Sequence, residues 1–482
     1  MKLLKFERFR ILILSAGMLF ASALLISCSD DDGDEAGNTI VDVAQGNNDL
    51  SLLVDALGRV DGFVSTLSDE NGTFTVFAPT NEAFTALLAA VGQTSLDDVP
   101  TSVLERILSY HVISGNALAS GDLSDGQTAA TLLADESVSI STSGGVTINS
   151  SNVTTADVQA SNGIIHIVDA VLVPSLEASI VNTVVEPAYF NNNFTILTEA
   201  VVTAGLLNTL IDPEANLTVF APTNDAFAAA GITSLEGLTA DDLTPILTYH
   251  VLGSEVLAAD LPATGSAITS LGGDFYLSIN DNGVFINGNS EVTSTDIDVA
   301  NGVVHVINRT LVPASGSIVD IAVAASQATD AEFGQLVAAL TAVENDASTS
   351  SLVTILSSAE ASDGAPFTVF APTDDAFAQL LEDAGVADLD ALIAAVGINT
   401  LEAVLLYHVI GGGRVFSADL PNLESTTVTT LGGSFELNLS ALTITETDNA
   451  LGLNMDDEAA IIGTDIIATN GVIHTIDKVI LP

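Results

Sequence analysis

The segment FTVFAPTNEAF at residues 74–84 returns as LTVFAPTNDAF at 217–227 and as FTVFAPTDDAF at 367–377. No other feature constrains the fold as strongly, because self-similarity sets the number and size of the folding units. Two more landmarks recur in the same order. One is Tyr110-His111-Val112, Tyr249-His250-Val251 and Tyr407-His408-Val409. The other is NGIIHIVDAVLVP at 162–174, NGVVHVINRTLVP at 301–313 and NGVIHTIDKVILP at 470–482. Phe77 lies 143 residues before Phe220, which lies 150 residues before Phe370. A period that long is a whole domain, not a solenoid unit. The expected division is 38–174, 178–313 and 316–482. The links between these units, SLEAS and ASGS, are short, which predicts limited independent motion.

Each repeat reads first as helix and then as strand. DLSLLVDALGRVDGFVSTL puts Leu53, Leu57 and Val60 on one face at helical spacing. Later, VSISTSGGVTIN alternates around Gly144-Gly145, and FYLSINDNGVFIN alternates around Asn282-Gly283, a two-residue hairpin signal. Helices followed by an antiparallel strand set give an α+β domain. The third repeat is the longest, with extra residues near ENDASTSS and DNALGLNMDDEAA, where loops accept insertions cheaply. The opening motif itself reads as a strand-to-helix joint. Thr75-Val76-Phe77 is a short strand, and Pro79 lacks an N–H to continue pairing. Thr80 or Asn81 caps the next helix, and Glu82 sits in its first turn, as do Asp225 and Asp375 in the later copies.

Of the 482 residues, 48% are hydrophobic and 15% charged, enough to build real cores. Asp and Glu outnumber Lys and Arg by 62 to 9, for a net charge of −53. Nucleic acid and anionic membrane would repel such a surface. Solubility in salty surroundings accounts for the charge, and calcium-bridged adhesion is the sharper reading. Acid clusters such as Asp456-Asp457-Glu458 lack EF-hand spacing, so no cofactor is expected and loose surface calcium is left as the open alternative.

The N-terminus stands apart. Lys2, Lys5, Arg8 and Arg10 precede an apolar run, broadly Ile11 to Ile26, that suits an export signal over 1–27. Leu25-Ile26-Ser27-Cys28 resembles a bacterial lipobox, in which cleavage before the Cys is followed by its lipidation. Cys28 is the one cysteine, so no intrachain disulfide can form and the domains must hold by packing. The expected tether spans 28–37, and directly after Cys28 comes SDDDGDEAGN, an acidic run that cannot fold alone. It resembles the export signal that follows the lipidated Cys in surface lipoproteins of the Bacteroidetes. The expected location is the outer membrane, at the cell surface or otherwise on the periplasmic face.

The three ordered motifs, covering nearly all of 38–482, resemble the fasciclin domain family. The resemblance implies a wedge-like antiparallel β-sandwich with helices packed at one edge. It also implies secreted or surface proteins acting in adhesion or matrix contact. In that family a segment around the Tyr-His step has been proposed as an adhesion determinant for animal integrins, which touches Tyr110-His111, Tyr249-His250 and Tyr407-His408.

All six histidines, His111, His166, His250, His305, His408 and His474, stand in repeated motifs. Alternation puts Ile164, His166 and Val168 on one strand face and Asp169 on the other. The second repeat has Asn308 where the others have Asp169 and Asp477, which disfavours a His–Asp metal site or acid–base dyad. The expectation is a buried structural histidine, paired with Tyr hydroxyls or with backbone at the Asn-Gly turn. Tyr110 and His111 cannot share a face, so one is expected to be buried and the other nearer the surface. No G-x-S-x-G, H-E-x-x-H or Walker-type loop occurs. These readings favour a non-enzymatic, lipid-anchored protein binding matrix, glycan or protein partners. The alternative is a structural spacer or envelope-assembly lipoprotein without its own ligand.

Overall fold

The computed structural model describes residues 37–329, 331–358, 365–422, 426–438, 441–445 and 458–482. The export segment, Cys28, most of the acidic tether and Asp456-Asp457 lie outside the described residues.

In the first repeat, helices α1 (Ile40–Gln45), α2 (Ser51–Arg59) and α3 (Phe63–Leu67) precede strand β1 (Phe74–Pro79). Helices α4 (Asn81–Ala90) and α5 (Thr101–Tyr110) follow, then strands β2 (Val112–Ser114), β3 (Thr128–Ala130), β4 (Ser137–Ser141), β5 (Thr147–Ile148), β6 (Ser151–Ala160) and β7 (Gly163–Val168). The sheet order is β2-β1-β7-β6-β5-β4-β3, and the other two repeats have the same seven-stranded order. The α+β class holds, with one amendment to the antiparallel expectation. β1 and β7 pair in parallel, Phe74 opposite Gly163 through Pro79 opposite Val168. The first and last long strands of the repeat are sheet neighbours running the same way, and the elements between them, α4 to β6, form their crossover. Leu217–Pro222 with Gly302–Ile307, and Phe367–Pro372 with Gly471–Ile476, repeat that parallel pair.

The sheet is covered on both faces. Leu53, Leu57 and Val60 are buried as their spacing predicts, and with Val76, Ala78, Leu108 and Ile165 they form a helix-side core. Register shifts along β6, at Val153–Thr155 and Thr155–Val158, mark bulges that bend the strand. β3–β5 thereby fold over β1 and β7, enclosing a second core of Phe77, Tyr110, Val138, Ile140, Ile148 and Val168. The opening motif works as a joint between these layers. Thr80 Oγ1 accepts the Ala83 N–H and caps α4, while Asn81 Oδ1 accepts the Leu52 N–H of α2 at 2.9 Å. Thr caps its own helix, and the next residue pins the neighbouring one. In the second repeat the hairpin turn is Asp281-Asn282, because Asn280 pairs with Gly283. The turn thus falls one residue earlier than the Asn-Gly signal indicates.

SLEAS is not a loose link. It opens helix α6 (Ser175–Ile180), whose Glu177 is fully buried. Glu177 accepts from Arg106 Nε of α5 in the first repeat and from the Tyr189 hydroxyl of the second, the latter at 3.0 Å. Asn192 Nδ2 also donates to Asp97 O at 2.6 Å. The second and third repeats meet elsewhere. The Arg414 guanidinium lies 4.2 Å from the Tyr276 ring centre, and Asn280 Nδ2 donates to Ala418 O at 2.7 Å.

Candidate functional site

The Tyr-His step ends a helix and enters a strand, and this places its two side chains on opposite sides of the sheet. Both are buried, against the expectation that one would lie nearer the surface. Tyr110 enters the strand-side core, where its hydroxyl donates to Ser137 O at 3.0 Å and accepts from Asn149 Nδ2. Tyr249 has the same pair of partners, Asp274 O and Asn287 Nδ2, and the Tyr407 hydroxyl donates to Ser434 O. His111 faces the helices. Its Nδ1–H donates to Ile107 O at 2.7 Å, and its Nε2 accepts the Leu172 N–H at 2.8 Å. His250 repeats this with Ile246 O and the Leu311 N–H, and His408 with Val404 O and the Ile480 N–H. Burial lowers the pKa of all three rings to about 4, against the smaller opposing effect of the hydrogen bond to the carbonyl.

The closing-strand histidines take the opposite tautomer. His166 Nε2–H donates to Leu118 O at 2.8 Å, and its Nδ1 accepts the Asp157 N–H. His305 pairs with Val256 O and the Asp296 N–H, and His474 with Val415 O and the Asp465 N–H. All six rings are 2% exposed or less. The partners are backbone groups throughout, not Tyr hydroxyls. With both nitrogens of each ring engaged, none is left for a metal or a proton relay. Asp169 is exposed, and its Oδ1 accepts the Asn152 N–H at 2.7 Å. Asn308 does the same for Glu291 and Asp477 for Ala460. That shared task as a backbone acceptor explains why Asn can stand in for Asp.

Three further polar positions recur that the motif reading passed over. Asn162 is buried, its Oδ1 accepting the Ile40 N–H while its Nδ2 donates to Leu67 O and Asp69 O. Asn301 and Asn470 make the same three bonds in their repeats. Gly163 beside it is obligatory, since a Cβ there would lie 2.1 Å from Phe74 O. Thr75, Thr218 and Thr368 each donate to one loop carbonyl and accept one loop N–H after the Tyr-His strand. Asp157, Asp296 and Asp465 all have positive φ and use Oδ1 to accept a backbone N–H, from Ser120, Ala258 and Ser417. The signal was present: each Asp precedes its histidine by nine residues. Ala258 in the place of Ser120 rules out a Ser–Asp–His relay common to the repeats.

One shared position exposes a large apolar side chain in every repeat. Leu132, Leu271 and Leu431 are 40%, 58% and 46% exposed. Each donates its N–H to the carbonyl of the Val in its Tyr-His-Val step. Among the described residues, no group of three or more His, Cys, Asp or Glu side chains is placed to hold a metal ion.

A two-faced mixed sheet, a helical cover and paired backbone-bound histidines, built three times, define a tandem array of α+β domains. The chain belongs to the fasciclin domain family, whose Fasciclin domain matches residues 48–174, 192–313 and 335–482. It is similar to human periostin, at 26% identity over 460 residues, covering 93% of this chain and 48% of periostin. It is also similar to pig transforming growth factor-beta-induced protein ig-h3, at 29% over 281 residues, covering 55% of this chain and 40% of that protein. Protein sll1483 of Synechocystis sp. is 42% identical over 143 residues, 30% of this chain and 77% of its own length. The chain thus spans half or less of the length of the first two. Among solved structures, a FAS1 domain pair from the insect cell adhesion molecule fasciclin I matches at 18% identity and a TM-score of 0.28, covering 60% of this chain and 96% of that one.

Proposed function

We propose that this protein is a non-enzymatic adhesion or binding protein, held at the outer membrane by lipid on Cys28. Three tandem domains, 38–174, 178–313 and 316–482, present it to matrix, glycan or protein partners. One observation carries the non-enzymatic reading: the repeated histidines spend both ring nitrogens on backbone inside each repeat. Family membership supports adhesion as the function. Tyr110, His111, His166, Tyr249, His250, His305, Tyr407, His408 and His474 are assigned to holding the fold. Because each Tyr-His pair is buried, contact with a partner near that step falls to exposed neighbours, first of all Leu132, Leu271 and Leu431. Three weak copies of one contact gain from effective concentration when geometry lets them engage together.

The test is a glycan and matrix-protein binding screen of residues 28–482, with and without calcium. The expected result is a partner whose capture weakens in a Leu132→Ser, Leu271→Ser, Leu431→Ser triple variant that keeps its unfolding midpoint. Fatty-acid labelling of the full chain and of Cys28→Ala tests the anchor, and protease shaving of whole cells tests surface exposure. A spacer role is the second reading, favoured by the buried Glu177 that joins the first two repeats. Absence of any partner in either calcium condition selects it.

A further inference from the structure

The three repeats differ in how well they fill their helix-side core. A cavity of about 120 Å³ lies between helices and sheet in the second repeat, against about 30 Å³ in the third and about 10 Å³ in the first. The cause is legible residue by residue, because the hydrogen bonds align the repeats without ambiguity. The residue that donates its N–H to the buried Asn is Ile40, Val184 and Ile318 in turn. The strand residue opposite the central Val is Ile165, Val304 and Ile473. The residue opposite the Gly is Phe74, Leu217 and Phe367. Five positions beyond the helix N–H held by Asn81, Asn224 or Asp374 stand Leu57, Val201 and Leu340. At all four positions the second repeat carries the smaller side chain, and three of them, Val184, Val201 and Leu217, line the cavity, where the missing volume leaves the interior less than close-packed.

We propose that the second repeat is a binding pocket for one neutral apolar group, the size of a benzene ring or the end of a short alkyl chain. The volume matches. An apolar cavity of roughly 150 Å³ stays dry and takes up benzene or xenon. The lining contains no Asp, Glu, Lys or Arg. Its His250 has both ring nitrogens engaged, and the Tyr189 hydroxyl is bonded to Glu177. The Thr198 and Thr248 hydroxyls of the lining donate to helix carbonyls, so a charged ligand would find no ionic partner inside. The lining reaches the surface at Val202 and Leu271, 57% and 58% exposed, which form an apolar rim for access. The first repeat has Gly58 at the helix position of Val202, so half of that rim is absent there.

The experiment is calorimetric titration of residues 28–482 with toluene and with 1-hexanol, together with xenon uptake in crystals. The expected result is a site in the second repeat, with xenon beside Val184 and Val201. Toluene binding alone assigns a free aryl ligand, hexanol binding alone assigns a chain end, and either supports the pocket. Val201→Leu and Val184→Ile each restore the residue of the sister repeats. Each is expected to weaken binding at least tenfold and to raise the unfolding midpoint. If one of them misfolds, the other still decides. Absence of binding by all three probes, or unchanged affinity in a folded filled variant, overturns the proposal.

Discussion

Phe77 and His166 are register partners in the parallel strand pair, and their rings stack with centres 5.9 Å apart. Phe220 with His305, and Phe370 with His474, do the same at 5.3 and 5.5 Å. The first and last motifs of each repeat are thus two halves of one contact, which explains why they recur together. His166→Ala removes that stack, the donor to Leu118 O and the acceptor of the Asp157 N–H. A cavity and two buried groups left unpaired cost about 3 kcal/mol. Urea denaturation should show the first repeat unfolding at lower denaturant. An unchanged midpoint with loss of a specific binding activity would show that His166 serves a ligand instead.

Stability should also fall with acidification in a window set by the Tyr-His histidines. Their folded pKa is about 4, below the ordinary 6.5, so between those values the unfolded chain binds more protons. The stabilisation is full above pH 6.5, declines as pH falls and is lost below about 4. The shift corresponds to about 3 kcal/mol per ring. Protonation of carboxylates over the same range relieves the −53 charge and opposes the trend. Comparing the full chain with His111→Gln isolates the histidine. The variant should lose less stability between pH 7 and 4, and parallel profiles would refute the assignment.

Much of this was readable from residues. The three units follow from repetition, and the helix face of Leu53, Leu57 and Val60 follows from period. What escaped reading depended on distant parts of the chain. Tyr110 and His111 are both buried because helices cover one sheet face and folded-back strands the other. Opposite directions therefore both lead inward, and alternation cannot sort core from surface. The partners of His111 and His166, Leu172 and Leu118, offer only main-chain groups, which leave no side-chain signature. β1 beside β7 is likewise a product of topology, since local pattern does not tell parallel from antiparallel neighbours. Asn162 was legible only as half of an Asn-Gly turn, although its side chain makes three buried bonds.

Those three bonds make Asn162 a staple between the closing turn and the helical cover. Asn162→Asp is nearly isosteric but cannot donate to Leu67 O and Asp69 O, and it sets a carboxylate against two carbonyls. The expected cost is about 3 kcal/mol or more. Hydrogen exchange should accelerate first in α1 and α3, whose ends the staple holds. If Asn162→Asp keeps wild-type exchange in both helices, the staple does not hold them.

The junction of the first two repeats rests on Glu177, which no solvent reaches. Arg106 is itself partly exposed, and the Glu177 carboxylate beside it raises the guanidinium pKa further. Burial, with the Glu177 charge adding to it, pushes the Tyr189 hydroxyl up as well, so this phenol stays a hydrogen-bond donor. Arg106→Ala leaves a buried carboxylate with only the Tyr189 hydroxyl and should cost about 3 kcal/mol. Glu177→Gln in the same chain removes the charge and should recover a large part of that loss. A double-mutant cycle by denaturation measures the recovery, and limited proteolysis at 175–192 reports whether the junction has opened. Losses that simply add would mean that Arg106 and Glu177 act independently and that the junction is held by its apolar contacts alone.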